Sequence, residues 1–211
     1  ISACLVGSEM CIRDRVNEHI WGVVQGDLDS YLQRSFVRKY PYYDQLVTAI
    51  ESSAEDILSA YVLASWFNHW STVVLEDIIA EQPAVVPTVN NVKDVDIFWL
   101  GQPWDLKVTN LPKKWFDDGN SVLDAVDRSV EAERYLYELQ GAQRFGDNNR
   151  LFVILADTEN PADSWKLKRE FALLRRAIVE FFDREDSFDT VDFEYGQRHY
   201  VANAKTLFII T

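Results

Sequence analysis

The 211-residue chain has no apolar run long enough to cross a membrane. Charged residues interrupt every apolar stretch before it reaches the roughly 18 residues that a membrane helix needs. Cysteine is almost absent, and the only two, Cys4 and Cys11, lie within the first fifteen residues. The rest of the chain therefore offers no disulfide, no zinc–thiolate site and no cysteine nucleophile. Without cysteine or a secretory signal, we expect a cytoplasmic protein that does not contact a membrane.

The first fifteen residues, ISACLVGSEMCIRDR, follow neither the helical nor the strand period. Their charges follow the apolar stretch instead of preceding it, and an A-x-A-like cleavage site is missing, which excludes a secretory signal. The segment resembles the translated sequencing-adapter read-through found at the ends of metagenomic reading frames. We therefore expect residues 1–15 to be non-native and residues 16–211 to form a single domain.

Apolar residues are plentiful in the rest of the chain. Hydrophobic residues make up 47% and aromatic residues 13%, too much apolar surface for a disordered protein despite the net charge of −13. Helical patterns at 52–81, 121–140 and 161–183 alternate with strand patterns, among them the continuous apolar run 151–156, typical of a strand covered on both faces. This order predicts an α/β fold with helices packed on a mixed sheet. The predicted apolar stripe of the helix over 121–140 consists of Leu123, Val126, Val130, Leu136 and Leu139.

Residues 94–109 alternate between apolar and polar side chains around Gly101-Gln102. This pattern predicts a β-hairpin with a type II′ turn at these two residues, in which Asp96 faces Lys107 across the strands. Since alternate side chains share a face, one side of the hairpin is apolar and the other carries acids and a lysine. The apolar face consists of Val95, Ile97, Trp99, Trp104, Leu106 and Val108.

The polar face of this hairpin is a candidate metal site. Asp96 and Asp105 lie diagonally across it, close enough for both carboxylates to reach one hard cation. Neighbouring carboxylates are costly unless a cation or a proton neutralises them. Oxygen ligands without histidine or cysteine suit Mg²⁺ or Mn²⁺. The alternative is a solvated sheet face with incidental Asp–Lys cross-strand pairs.

Asp96, eight intervening residues and then Asp105-Leu106-Lys107 resemble the signature of the PD-(D/E)XK nuclease superfamily, which has the restriction-endonuclease-like fold. Lys107 is the only one of the eight lysines with an acidic residue two positions earlier. The core order of that fold (helix, three strands, helix, strand) also matches the elements predicted for residues 53–157. One departure is Val95, which stands where the motif has proline.

The resemblance implies a metal-dependent endonuclease of the restriction or defence type, which hydrolyses DNA phosphodiester bonds with Mg²⁺ or, in its place, Mn²⁺. It also implies a glutamate on the first core helix, where Glu76 matches by position and Asp77 is the alternative. Asp96, Asp105 and Glu76 would hold the ion, with the backbone carbonyl of the residue between Asp105 and Lys107 as a further ligand. Lys107 would position or deprotonate the attacking water, or stabilise the phosphate in the transition state.

Two other functions stay open at this point: a nuclease-fold enzyme that acts on RNA or on DNA repair intermediates, and a non-catalytic acidic domain that binds a protein. The intact set of Asp96, Asp105 and Lys107 argues against the second, because an inactive relative has no need of it. A homodimer and a partner subunit from a defence system are both compatible with the sequence.

The charge distribution limits where DNA can bind. A net charge of −13 argues against indiscriminate DNA affinity, because phosphate contacts need lysine and arginine. Residues 91–120 are nearly neutral, with five acids and four bases, and include Lys113 and Lys114, which follow the hairpin and are candidate phosphate contacts. A solvated helix face is the interpretation of Lys166, Lys168, Arg169, Arg175 and Arg176. The end of the second core helix, where some superfamily members place active-site or DNA contacts, holds Gln140, Gln143, Arg144 and Arg150.

Overall fold

The computed structural model describes residues 26–52, 56–88, 95–139 and 148–211. The chain divides into two compact units, residues 1–75 and 76–211, with the boundary inside a long helix. The segment 1–15 lies outside the described residues, and the single domain expected over residues 16–211 stays a prediction. No helix in the described ranges is long and apolar enough to cross a membrane.

The first unit is helical. Its elements are α1 (Asp27–Leu32), a π-helical turn (Gln33–Val37), α2 (Tyr43–Glu51) and the larger part of α3 (Asp56–Ala80). Tryptophan side chains connect α3 to the preceding segment: the indole N–H of Trp66 donates to the carbonyl of Tyr40 at 2.6 Å, and that of Trp70 donates to Val37 at 2.9 Å. A buried indole thus keeps a hydrogen-bond partner. The long helix predicted over 52–81 is confirmed within the described residues.

The second unit is built on a six-stranded mixed sheet with the strand order β1-β2-β3-β4-β6-β5. β3, β4 and β6 are parallel neighbours, and the other pairs are antiparallel. The α/β fold with a mixed sheet flanked by helices is therefore confirmed. The strands are β1 (Val85–Pro87), β2 (Ile97–Trp99), β3 (Gln102–Thr109), β4 (Arg150–Ala156), β5 (Asp189–Tyr195) and β6 (Arg198–Ile210). The helices are α4 (Lys113–Asp117), α5 (Val122–Asp127), α6 (Ser129–Glu138), a 3₁₀ helix (Pro161–Arg169) and α7 (Phe171–Arg184).

Strand β4 lies inside the sheet, and all of its residues are buried, as its continuous apolar run predicts. On one face of the sheet, Phe152 packs edge-on against Tyr137 of α6, with ring centroids 5.4 Å apart. On the other face, Trp99 of β2 packs against Phe181 and Phe182 of α7. Helices therefore cover both faces of the sheet.

The β2–β3 hairpin turns one residue earlier than predicted. Phe98 pairs with Pro103 and Trp99 pairs with Gln102, so the two-residue turn is Leu100-Gly101. Both turn residues have positive φ, 50° and 71°, as a type I′ turn requires. The type II′ turn at Gly101-Gln102 is therefore wrong.

The pairing of Asp96 with Lys107 is also wrong, because the register differs from the predicted one by two residues. A shift of two keeps every side chain on its predicted face, whereas a shift of one would reverse the faces. Accordingly Ile97, Trp99 and Trp104 are buried as predicted, and Phe98 on the opposite face is exposed.

The region 121–140 forms two helices instead of one. Ser121 and Asp124 form a capping box at the start of α5, and Arg128, with φ −124° and ψ 52°, separates α5 from α6. The predicted apolar stripe is wrong at Leu123, Val126 and Leu139, which are exposed, whereas Val130 and Leu136 are partly buried against the core. The break at Arg128 interrupts the helical period, so one stripe cannot run through both elements. The residues buried instead are Val122, Ala125, Ala132, Glu133 and Tyr137.

The region 161–183 is also divided, into the 3₁₀ helix and α7. Its basic residues do not form one solvated face, because Lys168 and Arg169 are buried, whereas Arg175 and Arg176 are exposed. A 3₁₀ helix has three residues per turn, so it orients its side chains differently from the α-helix that the prediction assumed.

Candidate active site

The candidate site is centred on the first half of β3. Asp105 and Lys107 are two residues apart on this strand and therefore share a face. In the parallel pairing with β4, Asp105 lies beside Arg150 and Lys107 lies beside Phe152. The side chain of Asp105 is 10% exposed and that of Lys107 is 41% exposed. The site is thus buried at the aspartate and open at the lysine.

Each carboxylate oxygen of Asp105 faces a different cation. The Lys107 Nζ lies 2.6 Å from Oδ1, and the Arg150 Nε lies 3.4 Å from Oδ2. Burial raises the pKa of the Asp105 carboxyl, and the nearby Asp96 adds to that rise. Lys107, through its hydrogen bond and its charge, and Arg150, through its charge, oppose it. The two cations thus favour the ionised form of a buried acid.

Asp96 immediately precedes β2 and is fixed to β3 by two hydrogen bonds. Its N–H donates to the carbonyl of Trp104 at 2.8 Å, and its Oδ2 accepts the N–H of Leu106 at 2.7 Å. In an extended strand the N–H and C=O of one residue point to the same side. The Leu106 carbonyl is therefore directed to the same side of β3 as the Leu106 N–H, toward Asp96. The resemblance to the nuclease superfamily implies that this carbonyl is a metal ligand.

Glu76 approaches the site from α3. Its carboxyl is half-buried, and within the described residues no donor makes a hydrogen bond to it. Burial, together with the charges of Asp96 and Asp77, raises the pKa of Glu76 to about 7, against the opposing charges of Lys107 and Lys168. Asp77, the alternative acid on this helix, is exposed. The structure thus brings Glu76 into electrostatic reach of Asp96 and Lys107.

A third cation, Lys168, lies near Glu76. It is 7% exposed, and burial lowers the pKa of its amine to about 8, an effect that the charge of Glu76 opposes. The sequence did not predict a place in the site for Lys168, because its spacing indicated a solvated helix face. Three acids (Glu76, Asp96 and Asp105) are therefore matched in formal charge by Lys107, Arg150 and Lys168.

The acids fit a hard divalent cation in kind, because all their donor atoms are oxygens. Among the described residues, no three histidine, cysteine or acidic side chains are grouped closely enough to hold a metal ion as they stand. The Lys107 ammonium contacts the Asp105 oxygen that such an ion would take. A divalent cation shared by Asp96 and Asp105 would therefore have to displace Lys107 from Oδ1.

The candidate DNA contacts are only partly described. Lys113 and Lys114 are exposed at the start of α4, shortly after β3 ends. Lys114 is already engaged, since its Nζ lies 2.8 Å from Asp118 and 5.4 Å from the centre of the Tyr135 ring. Gln140, Gln143 and Arg144 lie outside the described residues. Arg150 belongs to β4 and contacts Asp105 instead of extending the preceding helix.

In comparisons with known proteins, no family model, no curated protein and no solved structure matches this chain. The residues and geometry of the site are therefore the basis for inferring its function.

Proposed function

We propose that this chain is a Mg²⁺-dependent endonuclease that hydrolyses DNA phosphodiester bonds, with a restriction-endonuclease-like fold and a restriction or defence role in the cytoplasm. The observation that supports it most is the gathering of Asp96, Asp105 and Lys107 at one end of the β2–β3 hairpin, with Glu76 facing them from α3. The order helix, three strands, helices and strand from α3 to β4 is compatible with that fold.

The carboxylates have the binding role in this proposal. Asp96 and Asp105 hold the ion, Glu76 joins them, and the Leu106 carbonyl is the backbone ligand. Mg²⁺, or Mn²⁺ in its place, supplies charge that polarises the scissile phosphate and lowers the pKa of a bound water. The hydrogen bond from the Leu106 N–H keeps the Asp96 carboxylate oriented before substrate binds.

Lys107 is the residue that contacts substrate. Its side chain is 41% exposed, so its ammonium can move from Asp105 toward a phosphate oxygen. There it would position the attacking water or offset the negative charge that develops on the phosphate. Removing one such stabilising group costs on the order of 10²–10³ in rate.

A plasmid-nicking assay tests this function. We expect the unmodified protein to relax supercoiled DNA with Mg²⁺ or Mn²⁺, and we expect this relaxation to stop on addition of EDTA. Lys107→Ala should lose at least about 100-fold in rate and should still fold. Lys166→Ala is the matched control, because Lys166 is a similarly exposed lysine that forms an ion pair with Asp163 at 2.7 Å.

Full activity of Lys107→Ala, or cleavage that persists in EDTA, would contradict the proposal. Single-stranded RNA and branched DNA belong in the same assay, because preferential cleavage of either supports the alternative substrate class. If no nucleic acid is cleaved with any divalent cation, the chain is not a nuclease and the protein-binding alternative takes its place.

A further inference from the structure

The guanidinium of Arg150 lies between the candidate site and the core. Its Nε is 3.4 Å from Asp105 Oδ2, and its Cζ is 5.1 Å from the centre of the Tyr137 ring. The Arg150 side chain is only 6% exposed, so it is not a surface contact for a nucleic acid. A buried arginine that contacts a carboxylate on one side and an aromatic ring on another has little freedom to move.

The aromatic ring beneath Arg150 is itself held in place. The Tyr137 hydroxyl is within hydrogen-bonding distance of two backbone carbonyls, that of Asn148 at 2.9 Å and that of Asn203 at 3.2 Å. Its ring stacks on Phe193 with centroids 4.5 Å apart and meets Phe152 edge-on. The guanidinium therefore rests on a side chain that is fully buried and fixed at both ends.

The strand register places Arg150 directly beside Asp105. The two are Cα partners in the parallel β3–β4 pairing, and the Asp105 N–H donates to the carbonyl of Asn149 at 3.0 Å. Lys107, by contrast, reaches Asp105 with a side chain that is 41% exposed. The two cations on this carboxylate thus differ. Arg150 is buried and forms an ion pair with Oδ2 at 3.4 Å, whereas Lys107 is partly solvated and donates a hydrogen bond to Oδ1 at 2.6 Å.

We propose that Arg150 is a positioning residue that fixes Asp105 Oδ2 and thereby presents Oδ1 to Lys107 and, in the proposed nuclease, to the divalent cation. The inference rests on the proposed function. Its competitor is a purely electrostatic role, in which Arg150 merely offsets a buried negative charge. The two roles predict opposite effects on cation binding, because removing a neighbouring positive charge strengthens the binding of a cation.

Calorimetric titration of the full chain with Mn²⁺ alone distinguishes the positioning role from the purely electrostatic role. We expect Arg150→Met to weaken Mn²⁺ binding roughly tenfold or more, as is typical when a group that orients a metal ligand is lost. Arg150→Lys keeps the charge but loses the planar contact. Its Mn²⁺ affinity should therefore lie between that of Arg150→Met and that of the unmodified protein. Arg175→Met is the matched control, because Arg175 is exposed and pairs with Glu81 away from β3. Binding by Arg150→Met as tight as that of the unmodified protein, or tighter, would overturn the proposal.

Metal-free crystal structures of the unmodified protein and Arg150→Lys test the inference independently. We expect the 2.6 Å contact between Asp105 Oδ1 and Lys107 Nζ to be lost or divided between two conformers in the variant. An unchanged Asp105 there would refute the positioning role even if Arg150→Met does not fold. If the unmodified protein binds no Mn²⁺ and cleaves no DNA, the proposed function fails, while these structures still decide whether Arg150 orients Asp105.

Discussion

At the scale of single residues, Glu133 shows the clearest conflict between burial and charge. It is fully buried on α6, and its Oε1 accepts the hydroxyl of Thr206 at 2.8 Å. Within the described residues, its Oε2 has no hydrogen-bond partner. Burial raises the pKa of Glu133 to about 7; the Thr206 hydrogen bond and Lys205 oppose this rise, and Asp189 adds to it. A carboxyl in such a place is more favourable protonated than ionised.

This conflict predicts that Glu133→Gln raises the free energy of unfolding, and that the increase depends on pH. The pKa rises from 4.5 to about 7 on folding, so the folded state binds the extra proton and loses stability as pH increases between these values. The variant should therefore be more stable than the unmodified protein by up to roughly 3 kcal/mol at about pH 8, and by little near pH 4.5. Urea unfolding at both pH values measures the difference.

Glu131→Gln is the control for this experiment, because Glu131 lies on the same helix with its side chain 39% exposed and paired to Arg128. We expect it to change stability by at most about 1 kcal/mol, with no systematic gain as pH rises. A gain from Glu133→Gln that is equal at both pH values would show that folding does not raise the pKa of this carboxyl.

At the scale of elements, the β2–β3 hairpin shows what a local pattern determines. The alternation in residues 94–109 identifies the two faces whatever the turn, since a shift of two residues preserves them. It does not identify the turn, because Gly101 suits both candidates and Leu100 is an unfavourable residue at positive φ. Asp96, Asp105 and Lys107 were therefore predictable as neighbours, while their pairing was not.

The limits of a local pattern also explain the other differences between the predicted and the observed structure. A helical period predicts one long element where non-helical dihedrals at Arg128 and Glu170 divide it in two. Arg150 and Lys168 reach the site through the β3–β4 register and the 3₁₀ helix, and neither is encoded by the spacing of residues close to Asp105. The acids and Lys107 on the hairpin follow from local sequence, whereas Arg150 and Lys168 follow from tertiary structure.

The turn itself can be tested by Leu100→Asn. A type I′ turn favours Asn-Gly at its two central positions. Leu100 is 38% exposed and adopts a φ of 50°, so its replacement removes backbone strain at a small loss of burial. We expect the free energy of unfolding to rise by about 1 kcal/mol, measured by urea denaturation. Gln102→Asn is the control and should give no gain, because Gln102 lies in β3; the reverse result would restore the type II′ turn.

At the scale of the whole molecule, the net charge of −13 means that the proposed DNA binding would depend on a few cations. The three acids and three bases of the candidate site balance in formal charge, so the site adds no positive field of its own. Lys113 is exposed near the end of β3, and within the described residues no acid forms an ion pair with it. Lys114 has to leave Asp118 before it can contact a phosphate. For the proposed DNA complex we therefore expect few phosphate contacts and a shallow salt dependence of binding.

The contribution of α4 to DNA binding can be measured on the Lys107→Ala protein, which we expect to be inactive, with Mg²⁺ and a DNA duplex. The slope of log K against log salt between about 50 and 200 mM reports the number of phosphates neutralised. We expect Lys113→Ala to reduce that slope by about one, uniformly across DNA sequences. Lys114→Ala should reduce it less, because the Asp118 ion pair already offsets its charge. Lys166→Ala, on the 3₁₀ helix, serves as the control and should leave the slope unchanged. If Lys113→Ala also leaves it unchanged, α4 does not contact the DNA backbone and the phosphate contacts lie elsewhere on the chain.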